Sequence, residues 1–289
     1  MALSWAQDGD DWPHRDHSRF HTAGGVDWHV QVAGTGPALL LLHGTGASSH
    51  SWRDLLRPLA STFTVVVPDL PGHGFSSAPG HRDGYTLPGV ARSMLALLEQ
   101  LGVAPSWVMG HSAGAAIGVR MAVEHGLALR HLVAVNGALL PLPGMPVPLF
   151  SLAARVLGST PLIATLVARR ATETDAVRRL IGNTGSRIGP EGMALYEKLM
   201  RDRDHVRGVL SMMGQWDLRL LERDLPRLEV PLLLAVGGND RTVPPTEAQR
   251  ILRLQPRARI ESFQDLGHLA HEERPDLFVA IMERLRAAP

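Results

Sequence analysis

Apolar residues along this chain fall into two alternating kinds of run. "PALLLLHG" (37–44), "FTVVVPD" (63–69), "SWVMGH" (106–111), "RHLVAVNG" (130–137) and "VPLLLAVGG" (230–238) are short and continuous, as strands buried on both faces should be. Between them the apolar positions take helical spacing. Around 87–101, Val90, Met94, Leu97, Leu98 and Leu101 share one face, with Pro88 near the start and Gly102 past the end. "SWRDLLRPLAST" and the stretch near 247–254 read as helices, and 113–125 is Ala-rich and stops at Gly126. A final helix puts Leu277, Phe278, Ile281, Met282 and Leu285 together. "SRFHTAGGVDWHVQVAG" reads as two short strands joined at Gly24-Gly25, and "ARIESF" as a last strand. The alternation predicts an α/β fold, with a mostly parallel eight-stranded sheet flanked by helices.

The rhythm is lost from about 137 to 226. Pro141, Pro143, Pro146 and Pro148 open that region, and mainly helical patterns follow. The expected organisation is a polar tail (1–17), a core built from 18–136 and 227–289, and an inserted helical cap (137–226). The most apolar run outside the sheet is "PVPLFSLAARVLGSTPLIATLVA" (146–168). Arg155, Gly158 and Pro161 interrupt it, which argues against a spanning helix and leaves a greasy lid or a peripheral membrane contact.

Composition narrows the picture. With 289 residues, 45% hydrophobic and 20% charged, the chain fits an ordinary soluble protein. A formal net charge of +1 argues against nucleic acid as a main partner. The absence of cysteine excludes disulfides, thiolate catalysis and Cys-based metal sites. The first twenty residues lack an apolar signal core, so a cytoplasmic location is expected. His14, His17, His21 and His29 are irregularly spaced among polar residues and read as solvated side chains, not metal ligands.

Candidate chemistry centres on Gly110-His111-Ser112-Ala113-Gly114. G-x-S-x-G between a strand and a helix is the pattern of a nucleophile elbow, a turn so sharp that only small residues fit two positions either side of the serine. A serine hydroxyl needs a base, and the base needs an orienting acid. In such sheets these follow as Ser…Asp/Glu…His, in loops after strands. Asp240 ends "LLLAVGGNDRTVPP" and His268 ends "IESFQDLGHLAHEE", in the correct order. Asp265, His271 and Asn136 are weaker competitors: Asp265 lies within its loop, His271 belongs to the following helix, and Asn136 is an amide. The oxyanion donors expected are the backbone N–H of Ala113 and of Thr45 in "HGTGA". His111, Met212, Met213 and Trp216 are candidates to line a substrate pocket under the cap. Asp69 and His73, in the glycine-rich "DLPGHGFSS", read as loop-holding residues.

Taken in order, "HGTG", "DLPGHGFS", "GHSAG", "GGNDRTVP" and "LGHLAHEERP" resemble the landmarks of the α/β-hydrolase fold family from about Ser18 onward. A serine in the elbow sets the chain apart from epoxide hydrolases and haloalkane dehalogenases, whose nucleophile is a carboxylate. A closer likeness adds "VNGALLP", "NTGSR" and "MMGQWDL", and is to the magnesium-chelatase accessory family encoded in bacteriochlorophyll gene clusters. That resemblance implies a role near magnesium insertion into protoporphyrin, with a tetrapyrrole as a possible ligand class and magnesium chelatase as a partner.

The leading expectation is a serine hydrolase acting on an ester of a bulky apolar substrate, needing no metal or organic cofactor. Ser112 would attack, His268 carry the proton and Asp240 orient it. Two alternatives stand beside it: a non-catalytic porphyrin-binding or chelatase accessory protein, and a C–C bond hydrolase with the same triad.

Overall fold

Leu39 and Leu41 face one side of the sheet and Leu40 and Leu42 the other, all fully buried. The same alternation splits Val65 and Val67 from Val66, Trp107 and Met109 from Val108, and Val133 and Val135 from Leu132 and Ala134. A continuous apolar run thus feeds two cores at once, which is why these strands carry no polar face. The computed structural model describes residues 3–141 and 175–287.

Eight strands form one sheet: β1 (Ser18–Ala23), β2 (Val26–Ala33), β3 (Ala38–Leu42), β4 (Thr64–Pro68), β5 (Trp107–His111), β6 (His131–Val135), β7 (Leu232–Gly237) and β8 (Arg259–Phe263). Their spatial order is β1-β2-β4-β3-β5-β6-β7-β8. β2 pairs antiparallel with β1 and β4; every other pairing is parallel. On one face pack the helices Leu87–Gln100 and Ala113–His125, and on the other Arg53–Ala60 and Pro275–Ala287. Parallel strands bring their C-terminal ends to one edge, where ligands of such sheets bind. Ser112, Asn136, Asp240 and His268 all follow strands at that edge.

Helices Ala176–Asn183, Pro190–Met200, Arg203–Gln215 and Arg219–Asp224 lie between β6 and β7 in the described residues. The 146–168 run, with the lid or membrane contact expected of it, falls outside them. No described helix is long and apolar enough to cross a membrane.

Two local expectations give way. The N-terminal segment is not a bare polar tail. Trp12 is only 3% exposed, in a cluster with Leu195 and Leu199 and edge-on to Phe75 at 4.9 Å. Trp5 meets Phe75 at 5.0 Å, and Lys198 donates to the Asp8 carbonyl at 2.8 Å. Two tryptophans amid polar neighbours are enough to dock the segment on the Pro190–Met200 helix. His29 is not solvated either. It lies in β2, which has a strand on both sides, and its Nδ1 pairs with Asp69 Oδ2 at 2.8 Å.

Candidate active site

Ser112 sits at the tip of β5 with φ 50° and ψ −115°, one of three non-glycine residues with positive φ among the described residues. Such backbone costs on the order of 1–3 kcal/mol and persists only where surrounding structure imposes it. The imposition is visible in its neighbours. A Cβ on Gly110 would lie 2.5 Å from the Ala115 nitrogen, and one on Gly114 would lie 2.1 Å from the Leu42 carbonyl oxygen. Both glycines are therefore required by backbone-to-backbone approach. The Ala113–His125 helix begins directly after the serine, so the Ala113 N–H and the positive end of the helix dipole lie beside the hydroxyl.

The loop after β3 closes over the same point. A Cβ on Gly44 would stand 3.1 Å from Ser112 Cβ and 2.7 Å from His111 Nδ1. His43 fixes this loop from within: Nδ1–H donates to the Gly44 carbonyl at 2.8 Å, and Nε2 accepts from Leu70 N–H at 2.8 Å. Both bonds need neutral imidazole, and burial holds the His43 pKa below its ordinary value against the pull of Asp69. Thr45 follows, its hydroxyl donating to Met212 Sδ at 3.8 Å. Among the described residues neither the Thr45 nor the Ala113 backbone N–H has a protein acceptor.

The acid and base meet after β7 and β8. Asp240 Oδ2 accepts from His268 Nδ1–H at 2.7 Å, while Oδ1 accepts from the N–H groups of Thr242 (2.7 Å) and Val243 (2.9 Å). That orientation leaves the lone pair on His268 Nε2, the tautomer a general base needs. The His268 ring lies 4.7 Å from that of His111, the residue preceding Ser112. Asp265 is exposed, and His271 is buried away from the acid with Nε2 on Ser51 Oγ at 2.8 Å.

The pocket candidates divide. Met212 is buried against Thr45, while Met213 and Trp216 are half-buried on and just past the same helix. His111 is buried beneath the nucleophile, and its Nε2–H donates to the His268 carbonyl at 2.9 Å. It acts as a brace, not as pocket lining: the backbone turn that exposes Ser112 sends the preceding side chain inward. Asn136 is a second brace. Its Nδ2 donates to the carbonyls of Gly267 and His268, 2.9 Å each, and its Oδ1 accepts from Gly237 N–H at 2.7 Å. A polar amide closing the apolar run 131–135 marked the position in the sequence but not its partners. Asp69 anchors the loops as expected, accepting from Ser49 and Phe75 N–H at 2.6 and 2.9 Å beside His29.

Residues 37–275 match the family model described as alpha/beta hydrolase fold. The chain belongs to that family. Among curated relatives, the Magnesium-chelatase 30 kDa subunit of Rhodobacter capsulatus is 38% identical over 267 residues, covering 92% of this chain and 93% of that protein. The pimeloyl-[acyl-carrier protein] methyl ester esterase of Vibrio vulnificus is 28% identical over 262 residues, covering 88% and 95%. An alpha/beta hydrolase fold protein from Burkholderia ambifaria superposes with a TM-score of 0.78 at 23% identity, covering 92% and 97%. The family thus includes esterases, and within it the eight-stranded sheet presents Ser112, Asp240 and His268 at one edge.

Proposed function

We propose that this protein is a serine hydrolase that cleaves an ester of a bulky apolar substrate in bacteriochlorophyll synthesis, near the magnesium-insertion step. The observation that supports the chemistry is the strained Ser112 backbone at a helix N-terminus, at the same sheet edge as His268 hydrogen-bonded through Nδ1 to Asp240 at 2.7 Å. In the reaction His268 Nε2 takes the Ser112 proton as the oxygen attacks the ester carbonyl. Asp240 offsets the positive charge that forms on the imidazole. Ala113 and Thr45 N–H groups receive the oxyanion, each worth about 3 kcal/mol of barrier. His268 then returns the proton to the leaving alcohol, and water repeats the sequence on the acyl-enzyme. Met212, packed on Thr45, brings a soft apolar surface to that site.

Wild-type protein should be labelled by a fluorophosphonate and should turn over p-nitrophenyl esters, and Ser112→Ala should do neither. Undiminished labelling of Ser112→Ala would place the nucleophile elsewhere.

A second reading, an accessory factor docking on magnesium chelatase, is favoured by the name of the 38% identical relative. Complementation separates the two. If Ser112→Ala restores pigment synthesis as well as wild type does, the cellular role does not depend on the hydrolytic chemistry.

A further inference from the structure

The motif "NTGSR" (183–187) lies in the loop between the helices Ala176–Asn183 and Pro190–Met200, far in sequence from both the acid and the base. In space it touches the loops of both. The Thr184 carbonyl accepts from Arg241 N–H at 3.1 Å and from His268 N–H at 3.4 Å, bridging the residue after the acid and the base itself. Ser186 Oγ, in a side chain 5% exposed, accepts from Leu269 N–H at 2.7 Å.

Gly185, at φ 87°, is wedged between the same two loops. A Cβ there would lie 1.9 Å from the Asn239 carbonyl oxygen, and one on Gly267 would lie 2.4 Å from the Gly185 carbonyl carbon. Glu273 closes the contact from outside: its Oε1 accepts from Gly267 N–H at 2.8 Å and its Oε2 from Arg187 N–H at 3.2 Å.

We infer that the turn 184–186 is a positioning element for the proton-transfer pair, clamping the Asp240 and His268 loops together, with Ser186 as its key side chain. This rests on the hydrolase reading for its catalytic consequence. The clamp itself is a matter of geometry. Besides the Asp240–His268 hydrogen bond, the two loops share a backbone bond from Asn239 N–H to the Leu266 carbonyl at 2.9 Å and the Asn136 bridge; the turn 184–186 adds a further segment bonded to both, at the base itself and at the residue after the acid. A displacement of about 1 Å at a base can cost on the order of a hundredfold in rate. The stretch between β6 and β7 would then do more than cover substrate, because part of it sets the geometry of the base.

The test compares wild type, Ser186→Ala, Ser186→Thr and Glu273→Ala. The readouts are ester-hydrolysis kinetics against pH and the low-field proton resonance of His268 Nδ1–H. In Ser186→Ala, kcat should fall roughly tenfold with KM little changed. The pH profile of kcat/KM should change from that of wild type, because the His268–Asp240 hydrogen bond is no longer held in the same geometry. The Nδ1–H resonance should broaden or disappear. Ser186→Thr should restore all three, and Glu273→Ala, which leaves Ser186 in place, should shift them in the same direction.

An unchanged pH profile and resonance in both Ser186→Ala and Glu273→Ala would overturn the clamp, as would a rise in KM alone. Failure of the hydrolase reading would look different. Wild type would then resist fluorophosphonate, while the resonance would still report whether the clamp holds the pair.

Discussion

His111 donates its Nε2 proton to the backbone carbonyl of His268 at 2.9 Å, so the residue before the nucleophile holds the base. Its other ring nitrogen has no partner among the described residues. Burial, with His271 and His268 as neighbours, holds its pKa well below the ordinary value, and the ring is a neutral donor. His111→Leu keeps much of the volume and deletes the donor. The His268 carbonyl would still have Asn136. The expected result is a modest loss of stability, about 1 kcal/mol, and a fall in kcat of about tenfold at nearly constant KM. Denaturant midpoints and ester kinetics on the same preparation check it. An unchanged kcat would show that the brace is redundant.

Gly44→Ala should separate activity from stability. The added methyl would press on Ser112 Cβ at 3.1 Å and on His111 Nδ1 at 2.7 Å, displacing the loop that carries Thr45. Losing one oxyanion donor costs about a hundredfold to a thousandfold in kcat. Gly114→Ala meets the Leu42 carbonyl oxygen at 2.1 Å, a rigid backbone atom, and should lower the melting temperature sharply instead. Equal loss of melting temperature in the two variants would deny the distinction.

Much of this site was legible in the chain because its signals are local. Glycines at 110 and 114, a strand before and a helix after define the elbow, the acid follows a continuous apolar run, and the base follows the last predicted strand. The braces were not legible, because their partners are remote in sequence. Ser186 meets Leu269, 83 residues away, and Asn136 meets His268, 132 residues away. His29 and Trp12 failed for a related reason. Polar neighbours in sequence imply solvent, yet a strand paired on both sides, or a helix arriving from residues 190–200, supplies cover that no local window contains. His111 was misplaced because its proximity to Ser112 in sequence says nothing of which way a strained turn directs the preceding side chain.

Stability should depend on pH through buried histidines. His43, His50, His73, His111, His205 and His271 are all held below their ordinary value of 6.5, with burial the largest cause, and His205 is held at about 4. Below 6.5 the unfolded chain binds protons that the folded chain refuses, so folding free energy improves as pH rises through this window. The contribution is fully present above 6.5 and is lost as pH falls toward 4, each histidine costing about 1.4 kcal/mol per pH unit where only the unfolded form is protonated. Urea midpoints at constant ionic strength should decline steadily from about pH 7 to about pH 5. A flat profile over that range would mean that these rings are already charged in the fold.

Glu272 is the most demanding buried group outside the candidate triad. It accepts from Arg53 Nη1 at 2.7 Å, Ser51 Oγ at 2.6 Å and Tyr196 Oη at 2.7 Å, joining the chain just past His268 to the Arg53–Ala60 helix and to the Pro190–Met200 helix. Removing one partner of such an ion pair strands the other charge. Glu272→Met should therefore cost about 3–5 kcal/mol, and Arg53→Met a similar amount. The double variant Arg53→Met with Glu272→Met leaves no stranded charge and should recover a substantial part of that loss. Tyr196→Phe removes one hydrogen bond to a carboxylate that keeps two other donors, and should cost about 1.5–3 kcal/mol. Urea unfolding of the four variants completes the cycle. If the double variant is as unstable as the sum of the singles, the two charges act independently, and the link between His268's loop and the Pro190–Met200 helix depends on packing instead.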